Sequence, residues 1–541
     1  MMVQEQIKKE LKPAQQASLE LAKIVDGICR KYGIKYTLLW EALWGATEYN
    51  GFVPWSATIS IGFLYFDFLK FIDIFKQEFD GREYYVLDDT NCEQFEELYV
   101  RICKRSRVKL PEHRKKDEKY YDYFINIIPI FYAGDTQREQ KKLLKEFKYY
   151  MKCLRAYKPA PDTFRIKNLR KRAKNRYYYK RRTKDTFNQL KACVKKYNKP
   201  TKYVLIPHVN VKNQKMVNLE STYLDIKERV FEDHKFMTVS NSAQWLENVY
   251  GKKKMDRMRN KPINQSLLEG PEIMRRVQLI ELEMLKEVDR ICRKHNIKYS
   301  LFAGTLLGAV RHKGFVPWDD DVDVCMLYED YKRFIEIASK ELDSEKYFLR
   351  TQETDVDCNL TFLQIKRNGT LFLRKGRSKF NTHNGVFIDV LPLFNGSKST
   401  ILHKIQYKLC MFLKTIIWSH LGAQSELHTI KRWYYTQLSR ISNKKCYSLF
   451  LKIATLVKEE SDYLLYVSAR RSPICRAYTK RSNYDDLIEW EFEGHMFFIP
   501  KNYDEILRYS YSDDYMRYPN LSKRVARHLP SVIDIGNLYE Y

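Results

Sequence analysis

Phe302 to Val324 reads FAGTLLGAVRHKGFVPWDDDVDV. A short apolar strand, KYSLFA, runs into Gly304, and a helical turn (TLLGAVRH), a Gly/Pro turn (GFVPW) and a second strand (DVDVCM) follow. Alternating strands and helices predict an α/β unit. The run Asp319-Asp320-Asp321-Val322-Asp323 enters the second strand, where the period of two puts Asp321 and Asp323 on one face. Two carboxylates about 4 Å apart at an effective dielectric near 20 repel by about 4 kcal/mol, so the pair needs a cation or must keep a proton. Asp389 stands alone in the apolar strand VFIDVLPL, where an unpaired charge is costly and joining the pair around a metal removes that cost. Three oxygen donors with open coordination positions describe a magnesium site for phosphates. Gly304-Thr305, after a strand and before a helix, would let phosphate approach backbone N–H groups at the helix start.

Outward from this stretch, the chain repeats itself. Ile28–Ser60 (ICRKYGIKYTLLWEALWGATEYNGFVPWSATIS) aligns without a gap on Ile291–Asp323 (ICRKHNIKYSLFAGTLLGAVRHKGFVPWDDDVD) at an offset of 263, with 16 of 33 positions identical. The same offset superposes YFINIIPIF, from Tyr123, on VFIDVLPLF, from Val386, and FEDHKF at Phe231 matches FEGHMF at Phe492 two residues out of step. This predicts two copies of one unit. The polar stretch Gly251–Pro271 reads as the linker, giving domains 1–265 and 266–541. At the shared offset Gly304-Thr305 becomes Glu41-Ala42, Asp319–Asp323 becomes Ser56-Ala57-Thr58-Ile59-Ser60, Asp389 becomes Asn126 and Arg311-His312 becomes Glu48-Tyr49, whereas Gly51–Trp55 keeps GFVPW. The first copy is therefore expected to fold like the second without binding metal.

The 541 residues carry 96 Lys+Arg against 67 Asp+Glu, a net charge of +29 that selects acidic partners. Eleven cysteines without a C-x-x-C pair read as reduced thiols. No uncharged apolar run approaches the roughly eighteen residues of a membrane span, and the N-terminus lacks the apolar core of a signal peptide, so a cytoplasmic chain is expected. Arg155–Lys199 holds 17 Lys/Arg against 2 acids and interleaves Tyr177, Tyr178, Tyr179, Phe187 and Tyr197. Such a segment suits nucleic acid or an anionic membrane surface, and docking at the inner face of the cell membrane is the expectation preferred here. KLCMFLKTIIWSHLGA (Lys408–Ala423) is too short and too charged to span; it reads as a core helix or one lying at an interface.

FAGTLLGAVRHKGFVPWDDDVDV followed by IDVLPL resembles the LicD family, which includes the fukutin-like transferases, within the nucleotidyltransferase superfold typified by DNA polymerase beta. The resemblance covers essentially the whole second copy. It implies two tandem α+β nucleotidyltransferase-like domains, the first degenerate, each a small mixed sheet flanked by helices with a helical C-terminal part. It also implies two magnesium or manganese ions on Asp321, Asp323 and Asp389, with Gly304 and Thr305 at the phosphate turn. Members pass a phospho-alcohol, such as phosphocholine, from a CDP-activated donor to a hydroxyl of a glycan or lipid-linked glycan and release CMP. Arg311 and Lys366 would be phosphate cations and His312 a proton carrier. One departure is Phe394, where the family often places Asp after the Pro-hydrophobic pair. The alternatives are nucleotidyl transfer from a nucleoside triphosphate and a basic nucleic-acid-binding protein.

Overall fold

Apolar residues at three- and four-residue steps build the helix that opens each half. Leu21, Val25 and Ile28 are buried in α1 (Pro13–Lys31), and Val277, Ile280, Met284, Val288 and Ile291 in α2 (Pro271–Lys294). Each helix begins with proline, whose fixed φ suits the first turn and whose missing N–H has no helical partner to lose there. The computed structural model describes residues 11–540 except 93, 157–168, 198, 208–216, 260–267, 356, 375–376, 379, 427, 468–478, 520–522 and 529.

The chain divides into two units. Of the described residues, the first comprises those from Leu11 to Val108, Tyr121–Ala156 and Ala173–Glu272; the second comprises Lys109–Tyr120 and those from Ile273 onward. The expected boundary near 265 lies outside the described residues, and the changeover falls at Glu272/Ile273. The segment Lys109–Tyr120 belongs to the second unit, which sequence order does not suggest.

In the first unit β1 (Thr37–Leu38), β2 (Ser60–Leu64), β3 (Tyr84–Leu87), β4 (Val100–Lys104) and β5 (Tyr123–Tyr132) form a sheet in the order β1-β2-β5-β4-β3. It is extended by β6 (Tyr203–Leu205) and β7 (Val217–Leu219), and β8 (Ile226–Phe231) and β9 (His234–Val239) make a separate hairpin. The second unit has the same order in β10 (Ser300–Leu301), β11 (Asp323–Leu327), β15 (Phe387–Asn395), β13 (Leu363–Arg367) and β12 (Tyr347–Arg350). Its β14 (Leu371–Arg374) pairs with β20 (Pro530–Asp534), β16 (Tyr463–Leu465) joins β15 to β17 (Thr479–Lys480), and β18 (Leu487–Phe492) pairs with β19 (His495–Pro500). Among the described residues only β2/β5 and β11/β15 run parallel, with Ser60 opposite Asn126 and Asp323 opposite Asp389. Left-handed residues recur at matching places: Trp40 and Ala303, Asn50 and Lys313, Glu232 and Glu493. The fold is mixed α/β.

Helices α3 (Ala303–His312) and α4 (Tyr328–Glu341) flank the second sheet, and α5 (Thr400–Ser425), α6 (Thr429–Leu438) and α7 (Asn443–Ala454) follow it. All but the last residue of β15 are buried, which accounts for its continuous apolar run and makes Asp389 its one charge. The expected strand KYSLFA shrinks to two residues, and β11 starts at Asp323, so Asp321 stands before the strand in the turn. Within the expected linker, Lys252–Arg259 is helical because KKKMDRMR consists largely of good helix formers and Met255 buries. Of the basic stretch 155–199, Leu169–Tyr179 and Thr186–Val194 are helices, while 157–168 and 198 lie outside the described residues.

Candidate active site

The turn between α3 and β11 carries the carboxylates. A Cβ at Gly304 would lie 2.5 Å from Asp319 Oδ2, so a side chain there would displace that carboxylate. Thr305 Oγ1 accepts from the Asp323 N–H at 2.8 Å, tying the strand start to the helix start. The role these two residues show is thus to seat Asp319 and Asp323. Asp389 faces Asp323 across the parallel pair, and its N–H donates to Val322 O at 2.8 Å. Burial, then the neighbouring acids, push Asp321 and Asp323 well above the usual carboxylate range, with Asp389 contributing to both. Burial also raises Asp319 to about 6. The three expected ligands are therefore brought within electrostatic reach of one another.

A further carboxylate joins them from α2. Glu281 is buried, its Oε2 has no hydrogen-bond partner, and burial followed by Asp321, Asp320, Asp319 and Asp389 raises it well above its ordinary value. Asp320 is engaged differently. Burial pushes it up, yet the His528 ring and the N–H groups of Arg527 and His528 outweigh this and hold it low. Ligand atoms of Asp320, Asp321 and His528 lie within 4.8 Å of one another. Since Asp320 already serves the 527–528 loop and hard divalent ions prefer oxygen, this trio reads as a loop anchor beside the carboxylates. Oxygen donors that crowd without enough cations, one of them buried and unpartnered, fit magnesium or manganese.

Buried cations, with half-buried Arg374 among them, stand beside these acids. Arg350, Gln364, Asp389 and Asp323 are successive cross-strand neighbours over β12, β13, β15 and β11. Arg350 Nη1 donates to Gln364 Oε1 at 3.0 Å, and Gln364 Nε2 donates to Asp389 Oδ1 at 2.6 Å, which fixes that carboxylate. Arg350 also pairs with Asp355. Lys366, two residues on, is buried, donates to Gly385 O at 3.3 Å and lies 5.0 Å from the Phe387 ring, over which Arg374 also sits at 4.7 Å. The guanidinium groups of Arg374 and Arg377 have no hydrogen-bond or ion-pair partner among the described residues. Burial, then mutual repulsion, pushes Lys366 and Arg377 well below their ordinary values, with Asp389 opposing. Such cations match phosphate oxygens.

Arg311 and His312 are engaged chiefly with protein partners. Arg311 Nε donates to His312 Nε2 at 3.0 Å, so that nitrogen carries a lone pair and the ring proton sits on Nδ1, facing Asp117 at 3.2 Å. Arg311 Nη1 donates to Tyr515 O and Arg517 O. Two of its three nitrogens thus serve protein acceptors, although its charge still lowers Asp319. His312 is fully buried and held down to about 4, chiefly by burial. Tyr120 stacks on Tyr518 at 5.4 Å and meets Trp318 edge-on, with the Arg524 guanidinium over all three rings.

In the first unit the matching positions are neutral or rearranged. The row reads Leu87, Arg101, Asn126, Ser60, and Ser18 replaces Glu281. Ser56 Oγ donates to Glu41 Oε2 at 3.0 Å, so a carboxylate occupies the place of Gly304 and a hydroxyl that of Asp319. Glu281, Arg374, Arg377, Arg527 and His528 were not singled out from the sequence. Only Glu281 had a signal there, as a polar position that loses its acid together with the others.

Residues 296–417 match the family described as LicD/FKTN/FKRP, nucleotidyltransferase domain. The chain is 29% identical over 271 residues to the lipopolysaccharide cholinephosphotransferase LicD of Haemophilus influenzae, covering 47% of this chain and 96% of that protein. An uncharacterised protein of Rickettsia prowazekii is 32% identical over 110 residues, 20% of this chain and 39% of its own length.

Proposed function

Because this chain belongs to the LicD family through its second half, we propose that it moves a phospho-alcohol, phosphocholine or a related polyol phosphate, from a CDP-activated donor to a glycan hydroxyl, releasing CMP. Family membership by itself supports a transferase of phosphorus-containing groups. The observation that carries the finer reading is the carboxylate cluster of buried Glu281, Asp319 and Asp389 with half-buried Asp321 and Asp323, beside the buried cations Lys366 and Arg377 and the half-buried Arg374.

Asp321, Asp323 and Asp389 would hold magnesium or manganese, two ions in this reading. Bound there, the metals would neutralise phosphoryl oxygens and stabilise the attacking and leaving oxygens. Lys366, Arg374 and Arg377 would bind the donor's diphosphate oxygens, and burial strengthens that attraction. Gln364 donates to Asp389 Oδ1, and Asp389 would serve either as ligand of the metal on the acceptor side or as the base that takes the acceptor hydroxyl's proton as its oxygen bonds to phosphorus and the bond from phosphorus to the CMP oxygen breaks. The first copy, lacking these acids, is assigned a structural or acceptor-binding role.

The test is CMP release by the full chain from a panel of CDP-alcohols with magnesium. Asp321→Asn, Asp323→Asn and Asp389→Asn should each lose at least about a hundredfold in turnover, the scale of losing a metal's charge stabilisation. Near-normal release by all three overturns the assignment, and pyrophosphate release from a nucleoside triphosphate would move it to nucleotidyl transfer.

A further inference from the structure

Helix α5 has two apolar faces, and among the described residues only one of them has a partner. His403, Gln406, Cys410, Leu413 and Ile417 face inward, where Gln406 Nε2 donates to the Ile453 carbonyl at the end of α7 at 2.9 Å. On the other side, over about 17 Å of helix, Ile401, Leu402, Ile405, Leu409 and Phe412 are exposed, Ile401 by 70% and Phe412 by 51%. A surface helix of this length ordinarily turns a polar face to water. Lys404 and Lys408 stand exposed among these residues. The next helix, α6, repeats the pattern: Ile430 is 71% and Trp433 64% exposed, with Lys431 and Arg432 exposed beside them.

The charge of this region decides what covers it. Residues 398–458 hold eleven Lys/Arg and a single acid, Glu426. A second copy of the chain would set one basic face against another, and nucleic acid would satisfy the lysines while leaving Ile401, Ile405 and Phe412 without apolar contact. Apolar side chains interleaved with lysine, and a Trp on the adjoining helix, match acyl chains below anionic headgroups. Among the described residues no helix is long and apolar enough to cross a membrane, so a face of this kind would lie in the interface plane.

We propose that the exposed face of α5, Ile401 to Phe412 with Lys404 and Lys408, docks the protein on an anionic lipid surface. The surface lies in the second unit, on a helix that follows the carboxylate strand β15 by a few residues, and it places lipid binding outside the basic stretch 155–199. It requires nothing of the donor or of the metal, so its failure leaves the phosphotransfer reading untouched.

Flotation of the full chain with vesicles of three parts phosphatidylcholine to one part phosphatidylglycerol, and with phosphatidylcholine alone, tests this. The protein should float with the anionic vesicles. Ile401→Gln/Ile405→Gln/Phe412→Gln should lower partitioning by about tenfold or more, and Lys404→Gln/Lys408→Gln by about tenfold at low salt and less as salt rises. These side chains are exposed, so the thermal midpoint should hold in both variants; if one fails to fold, the other decides. No flotation of the wild type overturns the proposal. So does flotation that neither variant weakens, which would place the contact elsewhere, on Arg155–Lys199 for example. A dimer in sedimentation that the apolar variant converts to monomer also overturns it, in favour of a second copy.

Discussion

At the scale of single residues, His312 shows how a buried side chain acquires a fixed proton. Its Nε2 accepts from Arg311 and its Nδ1 faces Asp117, and burial holds its pKa at about 4 against an unfolded value near 6.5. Between those values the unfolded chain takes up a proton that the native state refuses. Stability is therefore undiminished by this group above about pH 6.5 and falls as pH drops towards 4, by on the order of 3 kcal/mol. His312→Gln should flatten the fall in unfolding free energy between pH 7 and 4.5, and identical slopes in the two proteins would count against a neutral buried ring. The family resemblance marks His312 as a proton carrier; its partner Asp117 is 195 residues away, beyond the reach of any local pattern. Asp321, Asp323 and Asp389 were legible because charge in or beside an apolar strand is an anomaly. Arg374 and Arg377 were not, since basic residues at a strand end and in the segment after it ordinarily face water.

At the scale of elements, α2 aims three polar residues inward at three-residue steps. Arg275 pairs with Glu493, Gln278 donates to Asp319 O at 3.0 Å, and Glu281 joins the carboxylates. The helix itself was plain from its apolar spacing, yet the same spacing hid Glu281, because a glutamate beside Ile280 reads as an edge position. Glu281→Gln keeps the size of the neutral acid. In chelator its midpoint should therefore move by less than about 1 kcal/mol equivalent, while manganese affinity measured by calorimetry should drop about tenfold or more, the cost of losing a charged ligand or its supporting shell. Unchanged affinity would remove Glu281 from the site. Strand limits were less readable than helices: β10 keeps two residues and β11 begins at Asp323, because pairing partners far along the chain, not local pattern, set where a ladder starts.

At the scale of the whole molecule, the internal repeat leads to the expectation of two like units, and two sheets of matching strand order are present; nothing in the sequence indicates that Lys109–Tyr120 belongs with the second. In that segment Arg114 is fully buried; it pairs with Glu493, donates to Phe315 O and contacts Asp117, while Asp117 holds His312. Burial pushes Glu493 up, but Arg114 and Arg275 outweigh it and keep the carboxylate ionised. Glu493 also accepts from the Phe315 N–H at 3.1 Å, so its charge pins the turn that leads into the aspartates. Removing one cation leaves a buried carboxylate short of its compensation, a loss of about 3–5 kcal/mol in comparable cases. In the full chain Arg114→Met should lower the unfolding free energy by about that amount, with Arg114→Lys recovering only part because a point charge replaces a fork. The same reasoning applies to a chain cut at 266, which lacks Arg114, Asp117 and Tyr120. Residues 266–541 alone should be markedly less stable than the intact protein, and a peptide of residues 109–120 added in trans should raise their thermal midpoint. Equal stability of Arg114→Met and wild type, or a fragment indifferent to the peptide, would show that the segment only decorates the second unit.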